Sequence, residues 1–320
     1  MSSYNADDQV PDFIIGGAMK SATSTLHSIL AHHEEVYIPD GEVHFFSVDD
    51  STEHPAFFHE YGTQWAVQDF RERFDTYWAR YRRLFDDATS NQVIGEDSTV
   101  YLASKKAPAR IAEVLPHVKL IFLLRDPVER AHSHYYHALQ AGRAIHSFED
   151  ALQYGRRFYI TRGLYREQLE RYLEVFDREQ ITVLIFEDFI QNMEARIDDL
   201  CEWLGLSESL DLSSLNGTQK NASLVPRWSR LMAWQNYIFR PLQARNYNHR
   251  IADLPDDEFT GMERLMNSVN YRLRYFNLHE GKKPPMPAEA RSFLQRLYAK
   301  ENRGLSDLIG IDVSQYWDYL

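Results

Sequence analysis

Short apolar runs and segments of helical spacing alternate along nearly the whole chain. Phe13-Ile-Ile reads as a buried strand, Gly16-Gly17 breaks it, and Leu26, Ile29 and Leu30 then recur at helical spacing. Glu35–Ile38 predicts a second strand, closed by a Pro39-Asp-Gly turn. Residues 52–90 are aromatic and charged; Tyr77, Tyr81 and Phe85 predict a helix there with one buried face. Val93–Tyr101 reads as a strand end opening into a polar loop, and Pro108–Val114 as a short helix. Val118–Leu124 is almost continuously apolar, as a central parallel strand buried on both faces must be. Helices are predicted at 163–173, 190–204 and 289–308, with a buried strand at Ile181–Phe186. The alternation predicts one α/β domain over residues 1–320: a P-loop-type three-layer sandwich whose central parallel sheet is flanked by helices.

The chain of 320 residues is 44% hydrophobic and 13% aromatic, enough for a large core. Its formal net charge of −12 argues against a nucleic-acid binder and against a polyanionic acceptor. The single cysteine, Cys201, stands at apolar helical spacing, so it reads as core and fits a reducing compartment. The first dozen residues lack a basic, then apolar, leader pattern, and no run approaches ~18 apolar residues. A cytoplasmic protein without a transmembrane segment is expected. From Leu212 to Ala252 the charge reverses: there is no Asp or Glu, while Lys220, Arg227, Arg230, Arg240, Arg245 and Arg250 interleave with Trp228, Trp234, Tyr237, Phe239 and Tyr247. Residues 212–280 read as a helical insertion or lid that closes over an anion, receives a carrier or acidic partner, or simply packs its aromatics with arginines solvated.

Three stretches carry candidate chemistry. Gly17 followed by Lys20, Ser21, Ala22, Thr23, Ser24 and Thr25 supplies a glycine turn, an ammonium and a helix start, the recipe for a phosphate cradle. Met19 occupies the place where a nucleotide-hydrolysing P-loop has glycine, which points away from the magnesium-dependent enzymes. Glu42 and His44 stand two apart against Phe45-Phe46, where burial lifts a carboxylate toward the range of a general base. Arg125 ends the central strand, and Asp126-Pro-Val-Glu129 caps a helix that turns Ser133 back toward it, so both can address one anion. Gly281-Lys282-Lys283-Pro-Pro adds a stiff basic loop.

Taken together, the Lys20 cradle, Glu42-Val-His-Phe-Phe46 and Leu124–Ser133 resemble the sulfotransferases that use 3'-phosphoadenosine 5'-phosphosulfate (PAPS), nearest the heparan sulfate branch and its bacterial relatives. The resemblance extends through Gly163-Leu-Tyr165, Phe186-Glu-Asp188 and the run from Glu289 to Leu308. It implies that Gly17–Thr25 hold the 5'-phosphosulfate and that Arg125 and Ser133 hold the 3'-phosphate. It places Tyr165, Lys282 and Lys283 among the cofactor ligands, with Lys220 and Arg227 as competitors for the late basic position. Lys20 would stabilise the leaving phosphate of the product, 3'-phosphoadenosine 5'-phosphate (PAP), Glu42 would be the base, and His44 would orient the acceptor or act as base itself. No metal is implied. The heparan-type enzymes carry lysine where this chain has Asp97, which moves the expected acceptor toward a neutral or cationic small molecule, free or carrier-tethered, bearing a hydroxyl or amine. A P-loop kinase or NTPase, a glycan sulfotransferase and a scaffold with a relict nucleotide site are the alternatives; the oligomeric state is open.

Overall fold

The computed structural model describes residues 9–54, 57, 60–61, 64–65, 67–155, 157–207, 224–243, 250–252 and 261–320. Its strands in chain order are β1 (Phe13–Gly17), β2 (Val36–Tyr37), β3 (Glu60–Tyr61), β4 (Gln64–Trp65), β5 (Val93–Asp97), β6 (Lys119–Leu124), β7 (Ile181–Ile185), β8 (Leu224–Pro226) and β9 (Leu278–Glu280). Five of them form one parallel sheet in the order β2-β5-β1-β6-β7. β1 thus lies at the centre, with the chain leaving in opposite directions on its two sides; such a crevice at the carboxyl ends of the strands is where open α/β sheets receive ligands.

Alternation along β6 explains the three layers. Leu120, Phe122 and Leu124 face a core that contains Ile14, Phe45, Phe46, Tyr77, Tyr81, Tyr101 and Tyr172. Ile121 and Leu123 face the opposite core, with Phe13, Ile15, Leu26, Ile29 and Cys201. A strand with both faces covered reads as a solid apolar run, as Val118–Leu124 does. Cys201 is buried and unpaired among these residues.

The helices are α1 (Thr23–Leu30), α2 (Phe74–Arg82), α3 (Ala107–Val114), α4 (Pro127–Gln140), α5 (Phe148–Gln153), α6 (Phe158–Thr161), α7 (Tyr165–Leu173), α8 (Phe186–Gln191), α9 (Met193–Leu204), α10 (Ser229–Gln243), α11 (Gly261–Asn277), α12 (Ala288–Glu301) and α13 (Leu305–Ile309). Three differ from expectation. Among the described residues of the stretch read as helical, 52–90, the α-helix is α2, followed by a 3-10 turn; Pro55 and Gly62 punctuate the sequence before it and helical spacing starts only at Phe74. The helix expected at 190–204 is two, α8 and α9, and the one at 289–308 is split by Gly304, whose φ of +80° ends α12 and starts α13. Within 212–280, α10 seats Met232 and Ala233 against α4, while Asn236 donates to the Leu139 and Ala144 carbonyls at 2.8 and 2.9 Å. Lys220, Arg245 and Tyr247 lie outside the described residues. Among the described residues, no helix is long and apolar enough to cross a membrane.

Candidate active site

The glycine turn leaves β1 at the sheet's carboxyl edge. Gly17 has φ +147°, and a Cβ there would stand 2.9 Å from the Leu102 Cβ and 3.0 Å from the Thr99 carbonyl. The residue is glycine because the chain from Thr99 to Leu102 is packed against it. Lys20 and Ala22 follow in the left-handed region, and α1 begins with no side-chain cap. Its first N–H groups are therefore open to an external acceptor. The Ser21 hydroxyl oxygen is buried with no partner among the described residues, while Thr23 is buried and Ser24 exposed.

Arg125 follows β6 directly. Its Nη1 donates to the Lys20 carbonyl at 3.2 Å, and its guanidinium lies over the Phe186 ring at 4.6 Å from the centroid. Asp126 caps α4 by accepting from Val128 and Glu129, and it also accepts from the Tyr319 hydroxyl at 2.6 Å. The cap aims Ser133 at the same crevice, where the Lys283 Nζ donates to its Oγ at 2.8 Å. Burial, then the charges of Arg125 and Lys20, push the Lys283 ammonium down to about 8. Burial and Arg125 also lower Lys20, against the pull of Glu42. Three cations from three distant parts of the chain thus share one space.

Two expected ligands stand elsewhere. Lys282 points to solvent while Lys283 turns inward, so the pair is split. Tyr165 is fully buried, its hydroxyl donating to the Arg125 carbonyl at 2.9 Å; it fixes the arginine from behind and presents no surface to a nucleotide. Arg227 is exposed at the foot of α10, its N–H paired with the Asn277 carbonyl.

Across the crevice, Glu42 and His44 meet at 3.1 Å, and the Thr99 hydroxyl donates to the same carboxylate. His44 sits at φ +62°, a sparsely populated conformation for such a residue, held by a 2.9 Å bond from its N–H to Ser98 Oγ. Ser98 in turn donates to Glu96, a buried acid that also accepts from Tyr81 and Tyr101 at 2.5 and 2.6 Å. Burial raises Glu42, but the hydrogen bond and charge of His44, with Thr99 and Arg162, outweigh it and hold the acid well below the usual carboxylate range. This corrects the expectation that burial would lift it. The geometry makes Glu42 an ionised acceptor with an imidazole beside it.

Sequence reasoning singled out Asp97 but missed its partner, and it missed His137 and Arg162. Asp97 pairs with His27 Nδ1 at 3.3 Å, a contact between residues 70 apart that no local spacing reveals. His137 is half-buried and pushed down to about 4 by burial and by the charges of Lys20 and Arg143, with Glu42 opposing, so it faces the crevice as neutral imidazole. Its place four residues after Ser133, on the same helical face, was the available signal. Arg162 forms a buried ion pair with Glu53 at 2.6 Å and also reaches the Met19 sulfur at 2.9 Å, tying down the residue that replaces the P-loop glycine.

A sequence profile of the sulfotransferase family matches residues 11–209. The chain belongs to the sulfotransferase family. Members similar to it include the human heparan sulfate glucosamine 3-O-sulfotransferase 3B1, 29% identical over 213 residues that make up 64% of this chain and 48% of the relative. The mouse enzyme of the same name is 30% identical over 62% of this chain and 47% of its own. The chain spans about half the length of the curated relatives it matches. A solved sulfotransferase from Alicyclobacillus acidocaldarius is 25% identical and superposes with a TM-score of 0.63, covering 96% of this chain and 98% of the other. The parallel five-stranded sheet flanked by helices is the fold of this family.

Proposed function

We propose that this sulfotransferase-family chain moves the sulfuryl group of PAPS to a hydroxyl or amine of a small acceptor. The observation that carries the reading is the meeting of Lys20, Arg125 and the Lys283–Ser133 pair on one side of a crevice whose other side is the Glu42–His44 pair. The residues fit the donor. The uncapped start of α1 and the unpartnered Ser21 hydroxyl suit its 5' end, and Arg125, Ser133 and Lys283 suit a phosphate at the 3' end. PAPS supplies the activated S–O bond. Lys20 neutralises charge that develops on the departing phosphate. Glu42, ionised before the acceptor arrives, takes the acceptor proton, with His44 holding it in place. His137 faces the same space as a neutral imidazole able to hydrogen-bond the acceptor.

The curated relatives are named for heparan sulfate. In this chain the acceptor side carries Glu42 and Asp97, which repel a polyanion, so a neutral or cationic small molecule, free or held by a carrier, fits better. Arg162 beside Met19 uses the glycine position of a nucleotide hydrolase for packing, which leaves the kinase or NTPase reading without support. The lone buried Cys201 supports a reducing compartment such as the cytoplasm.

The test is release of PAP from radiolabelled PAPS in the presence of pooled alcohols and amines, with wild type and Lys20→Ala. The alanine variant is expected to lose at least about a hundredfold in turnover with its melting temperature unchanged. Magnesium-dependent ATP turnover that survives Arg125→Ala would instead favour the kinase.

A further inference from the structure

Two carboxylate–imidazole pairs meet at the acceptor side, Glu42 with His44 at 3.1 Å and Asp97 with His27 at 3.3 Å. Asp97 is the last residue of β5 and is 4% exposed. Its Oδ2 is spent on His27, but its Oδ1 has no partner among the described residues. A buried acceptor left unmade costs about 1–3 kcal/mol, which a donor group on a ligand removes. The charges are also sorted by side. Arg125, Lys20 and Lys283 act on one another at the donor end, while Glu42 and His44 act on Asp97 at the other.

An alcohol gives up one proton when it is sulfated, and one carboxylate suffices. An ammonium gives up two. We propose that the acceptor is an amine, bound as its ammonium between Glu42 and Asp97, and that Asp97 with His27 takes the first proton and Glu42 with His44 the second. The proposal rests on the sulfuryl-transfer reading above and deepens it. The first transfer frees the nitrogen lone pair. That pair forms the S–N bond as the S–O bond breaks and its electrons leave on the phosphate oxygen of PAP. The second proton then passes from nitrogen to Glu42, leaving a sulfamate. Summed, PAPS and R–NH3+ give PAP, R–NH–SO3− and two protons. Burial and the charge of Glu42 raise Asp97 above an ordinary aspartate, against the pull of His27, which suits it to the harder deprotonation.

The experiment offers the full chain phenethylamine or phenethyl alcohol with radiolabelled PAPS, and identifies the product by the acid lability that separates a sulfamate from a sulfate ester. Amine turnover is expected to exceed alcohol turnover by at least about tenfold. Asp97→Asn should lower the amine rate by about a hundredfold while PAP affinity stays within about twofold, and the deficit should shrink as pH nears the amine's own pKa and the substrate arrives neutral. His27→Leu should act in the same direction. Preference for the alcohol, equal use of both, use of neither, or an Asp97→Asn defect that hits both acceptors alike or ignores pH would overturn the proposal. Failure of wild type to bind PAP would instead overturn the sulfuryl-transfer reading beneath it.

Discussion

Lys283 is a lysine whose nearest charged neighbours include two cations, and it reaches a serine hydroxyl across 150 positions of sequence. Its pKa of about 8 sets a sign for binding. A 3'-phosphate recruits the ammonium form, so PAP affinity should be level below about pH 7 and should fall above pH 8, by at most about tenfold per unit from this group. Calorimetric titration across pH 6.5–9.5 measures it, and Lys283→Ala should flatten the alkaline limb; an unchanged limb would remove Lys283 from the phosphate site. Gly17 makes a second prediction at this scale. Alanine there meets Leu102 and the Thr99 carbonyl in a backbone conformation it disfavours, so Gly17→Ala should cost about 2 kcal/mol in urea unfolding. A loss of activity with full stability would mean that the glycine serves phosphate approach instead.

At the scale of elements, α4 connects the site to the rest of the fold. It carries Ser133 and His137 to the crevice, docks α10, and buries His132 and His134 among aromatic rings. Burial, partly offset for His132 by Glu129, pushes His132 down to about 4, and burial with the charges of Arg162 and Arg130 pushes His134 well down. Unfolded, each returns to about 6.5. The unfolded chain therefore binds more protons between these values, and the contribution to stability is whole above pH 6.5 and lost as pH falls toward 4. Thermal melts should show Tm dropping across that window; a flat profile would show that these imidazoles are protonated in the fold.

The same elements show what a sequence can disclose. The glycine turn with α1 and the β6–Arg125–Asp126–Ser133 run were readable because their strand, turn and helix signals are contiguous. Asp97–His27, Lys283–Ser133 and Arg162–Glu53 join positions 70 to 150 apart, and nothing local encodes such pairs. Glu42 reads from the sequence as a carboxylate lifted by burial, yet His44, Thr99 and Arg162 together hold it low, and only the fold brings the last two near. Tyr165 was misjudged because an aromatic beside a motif looks the same whether it touches a ligand or backs the residue that does.

For the whole molecule, a net charge of −12 makes the cluster of Lys20, Arg125 and Lys283 a local exception, maintained by a sheet that ends β1 and β6 at one edge and by the loop after β9, from which Lys283 reaches Ser133. Such a concentration of positive charge is costly without an anion and predicts strong ligand stabilisation. The relation between its two ends is the central claim: one cavity holds phosphate at the 5' side through Lys20 and at the 3' side through Arg125, Ser133 and Lys283. Calorimetry of PAP against AMP on the wild-type chain tests it most directly, since the two ligands differ only in the 3'-phosphate. PAP should bind about a hundredfold tighter, roughly 3 kcal/mol, and Arg125→Ala should erase most of that difference. Equal affinity for the two nucleotides would contradict the account.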